Sequence, residues 1–131
     1  MTKMKWLTML SFWLGLFTVS DIHAQVPPRK AEFPGGLVNL YRWIDRNMNY
    51  PEDAKAEKIE GRVVVSFIIK ENGEIWNESI QVTEKLHPSI DKEAVRLLSE
   101  SPMWVPARDS ELGKAVPVRM TLPINFVIPK Q

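Results

Sequence analysis

The chain has 131 residues, contains no cysteine and carries a formal net charge of +1. This length is typical of one domain, and the lack of cysteine excludes disulfides and a lipid-modified cysteine anchor. Without Lys3, Lys5 and Asp21, which belong to the leader described next, the 17 basic and 16 acidic residues become 15 of each. A balanced charge without a basic stripe argues against nucleic acid as a partner.

Residues 1–24 are typical of an export signal. Lys3 and Lys5 precede an apolar run from Trp6 to Ser20, and Ile22-His23-Ala24 provides a small-residue cleavage site. The run has about 15 residues, fewer than the roughly 20 that span a bilayer. We therefore predict a cleaved signal and a periplasmic protein. A retained anchor, with the domain on the periplasmic side of the inner membrane, is the alternative.

Residues 25–32 are predicted to form a linker and residues 33–131 the domain. Phe33-Pro34-Gly35-Gly36 opens the domain as a turn. A first helix is predicted from there to about Asn47, because apolar residues follow at helical spacing. Pro51 then starts a short second helix, in which Glu52 and Asp53 suit the positive N-terminal end rather than acid–base chemistry.

Residues 62–70 are predicted to form a strand that is apolar on both faces and therefore central. Asn72-Gly73 indicates a hairpin into a second strand over residues 74–83, with Trp76, Ile80 and Val82 on one parity. A third helix is predicted over residues 88–100, with Glu93 and Arg96 on its solvent-facing side. It stops before Pro102, and residues 103–107 cross over towards the last strand. This order predicts an α+β fold, a three-stranded antiparallel sheet with two to three helices packed mainly on one face.

The second face of this sheet has no obvious helix to cover it. It carries Val64 and Ile68, and Trp76 is expected beside them. Two interpretations are compatible with this pattern: an association surface, or a face covered by loops.

Residues 115–128 are predicted to form an edge strand with its apolar side chains at the even positions. Pro117 and Pro123 are both odd, and a proline belongs on an edge with its nitrogen turned outward. Side-chain face and hydrogen-bonding side alternate together, so the odd residues are expected to turn their backbone groups to the free edge. Arg119 and Thr121 would then accept an extended peptide. The alternative is an ordinary edge strand protected against aggregation.

Enzymatic chemistry is not expected. His87 is the one histidine after residue 24, and without cysteine it leaves no catalytic triad, thiol nucleophile or zinc set. The sequence shows neither paired carboxylates in an apolar context nor a glycine-rich phosphate loop. We predict no cofactor and no metal site, with His87 as a surface or capping residue.

Motifs at specific spacing extend over the domain. They are Tyr50-Pro51 with Ala54, the run from Glu60 to Phe67, Gly73, Val82, Asp91, Ala94, Trp104-x-Pro106, Gly113-Lys114-x-Val116 and Pro123-Ile124-x-Phe126. As a set they resemble the C-terminal domain of TonB, the energy transducer that contacts outer-membrane transporters. Phe33-Pro34-Gly35-Gly36 is similar to the version of this domain with an additional helix before the Tyr-Pro motif.

The resemblance implies that an extended transporter segment, the TonB box, adds as a strand to the edge of the last strand. The peptide-binding residues it indicates in the last strand are Val116, Val118, Arg119, Met120, Thr121, Leu122 and Asn125. Around the Tyr-Pro motif it indicates Asn47, Tyr50 and Pro51.

The resemblance also implies partners. These are TonB-dependent outer-membrane transporters, and inner-membrane energising proteins if the chain is anchored. A second copy of the chain is an alternative partner for the edge strand. The linker reaches only ~30 Å at ~3.3 Å per residue, so binding is expected rather than force transduction by this chain alone. An exported adaptor acting on another envelope or signalling partner is the alternative function.

Overall fold

The computed structural model describes residues 28–130, so the predicted leader over residues 1–24 lies outside the described residues. The predicted α+β fold is confirmed. Its elements are α1 (Leu37–Asn47), α2 (Glu52–Ala56), β1 (Gly61–Ile69), β2 (Ile75–Glu84), α3 (Pro88–Ser99), β3 (Ala107–Arg108), β4 (Ala115–Val116) and β5 (Val118–Phe126). Within residues 28–130, no helix is long and apolar enough to cross a membrane.

The main sheet has the strand order β2-β1-β5, and both of its ladders are antiparallel. The predicted central position of β1 is thus confirmed. Its residues Val63, Val65, Phe67 and Ile69 are fully buried against α3, which packs across β1 and β2. Other core side chains come from α3 and β5: Ile90, Ala94, Leu97, Leu98, Leu122, Ile124 and Phe126.

The helix ends use the signals present in the sequence. Gly36 has φ 86° before α1, and its N–H donates to the Phe33 carbonyl at 2.8 Å, which closes the predicted turn. Asp53 lies in the first turn of α2, and its carboxylate accepts from the Ala54 N–H at 2.8 Å. His87 caps α3, where its Nδ1 accepts from the Ser89 N–H. The capping role predicted for His87 is therefore confirmed.

Trp104 holds the crossover to the hairpin between β1 and β2. The ring is buried and makes edge contacts with Phe33 and Phe67 at centroid distances of 5.5 and 5.7 Å. Its backbone N–H donates to the Gly73 carbonyl at 2.8 Å. A Cβ atom at Gly73 would lie 2.1 Å from the Trp104 carbonyl oxygen, so only glycine fits this approach.

A bulge in β2 reverses the face on which Trp76 lies. Ser66 pairs with Gln81, whereas Ile68 pairs with Trp76, so residues 77–80 stand opposite Phe67 alone. Because the insertion adds an odd number of residues, Trp76 joins Ile68 on the uncovered face. The predicted common face of Trp76 with Ile80 and Val82 is wrong, since those two residues pack against the core. The placement of Trp76 beside Ile68 is confirmed.

The strand predicted over residues 115–128 is divided at Pro117 into β4 and β5. β4 pairs with β3 in a second, two-stranded sheet, in which Val116 lies opposite Ala107. Two-residue strands show no period, so the sequence did not predict this sheet. Arg29 and Glu32, in the predicted linker, pair with Arg108 and Val105.

Candidate peptide-binding edge

The outer edge of β5 is unpaired, since β1 is the one strand among residues 28–130 that pairs with β5. The orientation of its backbone follows from β1. The Val64 carbonyl accepts from the Thr83 hydroxyl at 3.2 Å, and the Ile68 N–H donates to the Ser79 hydroxyl at 2.8 Å, so both residues turn towards β2. Their partners in the other ladder are Pro123 and Arg119.

In an antiparallel ladder, two opposite residues either exchange hydrogen bonds or both turn away from each other. Pro123 and Arg119 therefore turn their backbone groups away from β1, and alternation places those of Thr121 and Asn125 on the same side. Arg119, Thr121 and Asn125 supply outward N–H groups, while Pro123 supplies only its carbonyl. The edge geometry expected from the prolines is thus the one observed, and peptide binding at this edge is left as a proposal.

The side chains of these outward-turned residues lie on the uncovered face of the sheet. Arg119, Thr121 and Asn125 are exposed, and Arg119 Nη1 donates to the Ser66 hydroxyl at 2.9 Å. This hydrogen bond directs the guanidinium over the middle strand. The three side chains are therefore placed to contact a neighbouring strand on that face.

The even-numbered site residues have a different geometry. Val118, Met120 and Leu122 turn their backbone groups to β1, opposite Ile69, Phe67 and Val65, and their side chains lie on the covered face. Their backbones are therefore occupied by the existing ladder. Val116 lies in β4, where its backbone is paired with Ala107.

Of the three residues predicted around the Tyr-Pro motif, Tyr50 is the one that touches β5. Its ring makes an edge contact with Phe126 at 5.9 Å, and its hydroxyl donates to the Ile59 carbonyl. Burial, and secondarily the Glu60 carboxylate, raise the pKa of the Tyr50 phenol.

Asn47 and Pro51 lie against α3 instead of the edge. The Asn47 carbonyl accepts from Arg96 Nη2 at 2.8 Å, and its side-chain amide donates to the Trp43 carbonyl at 2.7 Å. Pro51 lines a hollow that Asn49 and the α3 residues Ser89, Lys92, Glu93 and Arg96 complete. The structure therefore does not gather the Tyr-Pro segment and the open edge into one continuous site.

An ion-pair network holds this segment, and the predicted solvent-facing position of Glu93 is wrong, because Arg96 and the Asn49 N–H enclose its carboxylate. Glu93 is buried and accepts two hydrogen bonds from Arg96, at 2.5 and 2.9 Å, and one from the Asn49 N–H at 2.5 Å. Arg96 also contacts Glu100 at 2.6 Å. The hydrogen bond with Glu93 raises the pKa of the Arg96 guanidinium. The pair fixes the end of α1 to α3 through the Asn47 carbonyl.

A groove borders the open edge on the side of α1. It encloses about 340 Å³, and its walls are Lys30, Ala31, Glu32, Phe33, Gly36, Leu37, Leu40, Tyr41, Trp104, Met120, Thr121, Leu122 and Pro123. The sequence contained one signal for it. Helix α1, of eleven residues, contains more apolar and aromatic residues than one buried stripe needs: Leu37, Val38, Leu40, Tyr41, Trp43 and Ile44.

Across residues 28–130, no three histidine, aspartate or glutamate side chains are grouped as metal ligands would be. His87, besides capping α3, places Nε2 3.4 Å from Glu57 Oε2. Its two ring nitrogens are thus engaged in contacts within the fold.

The fold and the open edge define a small α+β domain of the kind that an added strand can extend. A family model described as the C-terminal domain of the Gram-negative bacterial TonB protein matches residues 46–128, more than half of the chain, and the chain belongs to this family. The resemblance noted in the sequence is confirmed. The family consists of non-enzymatic, envelope-associated interaction domains and energy transducers.

Two solution structures of the C-terminal domain of Helicobacter pylori TonB share the fold. The structure of its residues 194–285 has a TM-score of 0.53 at 21% identity, over 72% of this chain and 95% of that one. The structure of its residues 179–285 has a TM-score of 0.50 at 20% identity, over 76% and 91%. At these identities the likeness shows the fold alone. No curated protein sequence matches the chain significantly.

Proposed function

We propose that the open edge of β5 captures an extended peptide by strand addition, and that the peptide is a segment of a TonB-dependent outer-membrane transporter. The observation that carries this proposal is the outward turn of the Arg119, Thr121 and Asn125 backbones on a strand with one free side. Peptide strands bind such edges through main-chain hydrogen bonds, and side chains at alternate positions select the sequence. Membership of the TonB family supports the choice of partner.

The odd-numbered and even-numbered residues of β5 have different roles in this proposal. The outward backbones of the odd residues supply affinity, and the exposed side chains of Arg119, Thr121 and Asn125 select among peptides. Val118, Met120 and Leu122 keep the strand in place through the ladder with β1. Tyr50 supports the end of β5 through Phe126, while Asn47 and Pro51 act through the packing of α1 and α2 on α3.

The domain works in the periplasm in this proposal, after removal of residues 1–24. A second copy of the chain competes for the same edge, because an unpaired strand can also pair with its own equivalent. Inner-membrane energising proteins become partners if residues 1–24 are retained as an anchor.

A proline at position 121 tests the edge. Thr121→Pro removes an outward N–H and spares the ladder with β1, because the Thr121 N–H does not donate to β1. We expect affinity for synthetic peptides from transporter N-termini to fall about tenfold or more, since the lost hydrogen bond also leaves a peptide carbonyl unpaired. Fluorescence anisotropy measures the affinity, and circular dichroism checks the fold.

Thr121→Val is the matched control for the backbone, because it keeps the N–H and the β-branched shape and changes only the side chain. It should retain most of the affinity that Thr121→Pro loses. Peptide binding that survives in a folded Thr121→Pro variant would contradict the proposal. If that binding is then lost in Ile68→Glu, the partner docks on the uncovered face beside Trp76, and the adaptor function becomes the better interpretation.

A further inference from the structure

Helix α1 and the open edge of β5 face each other across the groove. On the helix side the groove presents Leu37, Leu40 and Tyr41, and on the strand side Met120 and Leu122. Thr121, whose backbone turns outward, belongs to the same wall. The groove therefore begins where an added strand would lie.

Part of the apolar surface of α1 is left uncovered by the other residues of the range 28–130. Leu37 is 67% exposed and Tyr41 is 39% exposed, and the two residues lie one turn apart on the side of the groove. Val38 is equally exposed, at 65%, and does not line the groove. The Leu37–Tyr41 pair is thus the part of α1 that an edge ligand could cover.

Strand geometry determines which ligand side chains would reach this pair. An added strand would lie about 4.8 Å from β5, with side chains alternating between the two faces of the sheet. Met120 and Leu122 place their side chains on the covered face and line the groove. Every second side chain of the added strand would project to that face, between β5 and α1.

We propose that α1 completes the peptide site: one bulky apolar side chain of the added strand, aliphatic or aromatic, fills the groove against Leu37 and Tyr41. This inference rests on the proposed function, because strand addition is what places the peptide. The occupant is uncharged, since Lys30 and Glu32, of opposite sign, are the two charged residues of the groove. Burial of the Leu37–Tyr41 pair supplies the driving force.

The helix residues that would line the groove lie outside the part of the chain that matches the family. The match begins at Arg46, near the end of α1, whereas Leu37 and Tyr41 lie before it. The main-chain hydrogen bonds of the edge are the same for any extended peptide. The groove adds selection at one apolar peptide position to the selection by the exposed side chains of β5.

Peptide scanning with two helix variants tests the groove. Each residue of a labelled transporter N-terminal peptide is replaced in turn by alanine and by aspartate, and binding is measured to the wild type, Leu37→Asn and Val38→Asn. We expect replacement of one apolar peptide residue to lower the affinity for the wild type about tenfold. Leu37→Asn should bind the parent peptide more weakly by a similar factor, and the same peptide replacement should then have no further effect. Val38→Asn should behave as the wild type.

The lack of native cysteine allows a second, geometric measurement. A Leu37→Cys variant should form a disulfide with a peptide that carries cysteine at the sensitive position, and not with peptides that carry it one residue away. A Leu112→Cys variant, exposed on the turn before β4, serves as the control for random collision.

The outcomes separate this inference from the function on which it rests. If Thr121→Pro abolishes binding while Leu37→Asn and Val38→Asn bind equally well, the groove assignment is wrong and strand addition stands. If binding survives Thr121→Pro, both fall. If sedimentation shows that Leu37→Asn instead dissociates a dimer of the wild type, the occupant is a second copy and the peptide assignment is overturned.

Discussion

Glu93 shows how a single buried residue controls the approach of two helices. Its carboxylate satisfies the Asn49 N–H and receives both arms of Arg96, which in turn holds the Asn47 carbonyl. Sequence periodicity predicted α3 but placed this carboxylate on the solvent-facing side, because an acidic residue on an amphipathic helix normally faces water. Burial of Glu93 is tolerated because every one of these contacts is charge-assisted or directed.

Glu93→Gln should lower the free energy of unfolding by about 1–3 kcal/mol, because Arg96 loses the buried negative charge and at least one donor then meets an NH2 group instead of an acceptor. Urea denaturation followed by circular dichroism measures the change. Glu100→Gln is the matched control, since Glu100 contacts the same Arg96 from an exposed position and should cost at most about 0.5 kcal/mol. Equal costs for the two variants would show that the network contributes no more than a surface ion pair.

At the scale of the element, β5 and β2 show where a local sequence pattern predicts the side-chain face correctly and where it does not. In β5 the two-residue period and the prolines predicted the buried face and the open side, because both depend only on the alternation of a single strand. In β2 the same reading placed Trp76 on the wrong side relative to Ile80. The bulge that reverses it depends on the Ser79 hydroxyl, which accepts from the Ile68 N–H and donates to the Trp76 carbonyl.

Ser79→Ala should destabilise the domain by about 1–3 kcal/mol, because the Ile68 N–H and the Trp76 carbonyl lose their shared partner in a buried position. Thermal and urea unfolding measure the loss, and the fluorescence of Trp76 is expected to shift as the bulge relaxes. Ser99→Ala serves as the comparison, because Ser99 is exposed in the last turn of α3. A Ser79→Ala domain as stable as Ser99→Ala would mean that the backbone alone maintains the bulge.

At the scale of the whole molecule, one small core supports both the three-stranded sheet with its open edge and the smaller second sheet. The three strands enclose the core with α3, and the crossover around Trp104 connects the hairpin to the second sheet. Residues 29–32 pair with this crossover, so the entry of the chain into the domain is defined close to the groove. In the proposed function, removal of residues 1–24 gives a free periplasmic domain, whereas their retention ties the domain to the inner membrane.

The N-terminal residue of the protein recovered from its native envelope distinguishes the two states. We expect the mature chain to begin near Gln25 and to fractionate with soluble periplasmic proteins, because the apolar run of about 15 residues is short for a membrane span. Mass spectrometry of the intact protein provides the measurement. Recovery of Met1 or Thr2 in the membrane fraction would instead establish a retained anchor.

The sequence by itself determined the features that depend on one element at a time. The predicted helices, the central position of β1 and the outward turn of Arg119 and Thr121 all follow from local periodicity and from what a proline cannot donate. Only the tertiary structure decided the reversal of Trp76, the division of the last strand at Pro117, the burial of Glu93 and the groove between Tyr41 and Met120. Each of these depends on contacts between segments far apart in the chain, and a one-dimensional period carries no information about which distant groups meet.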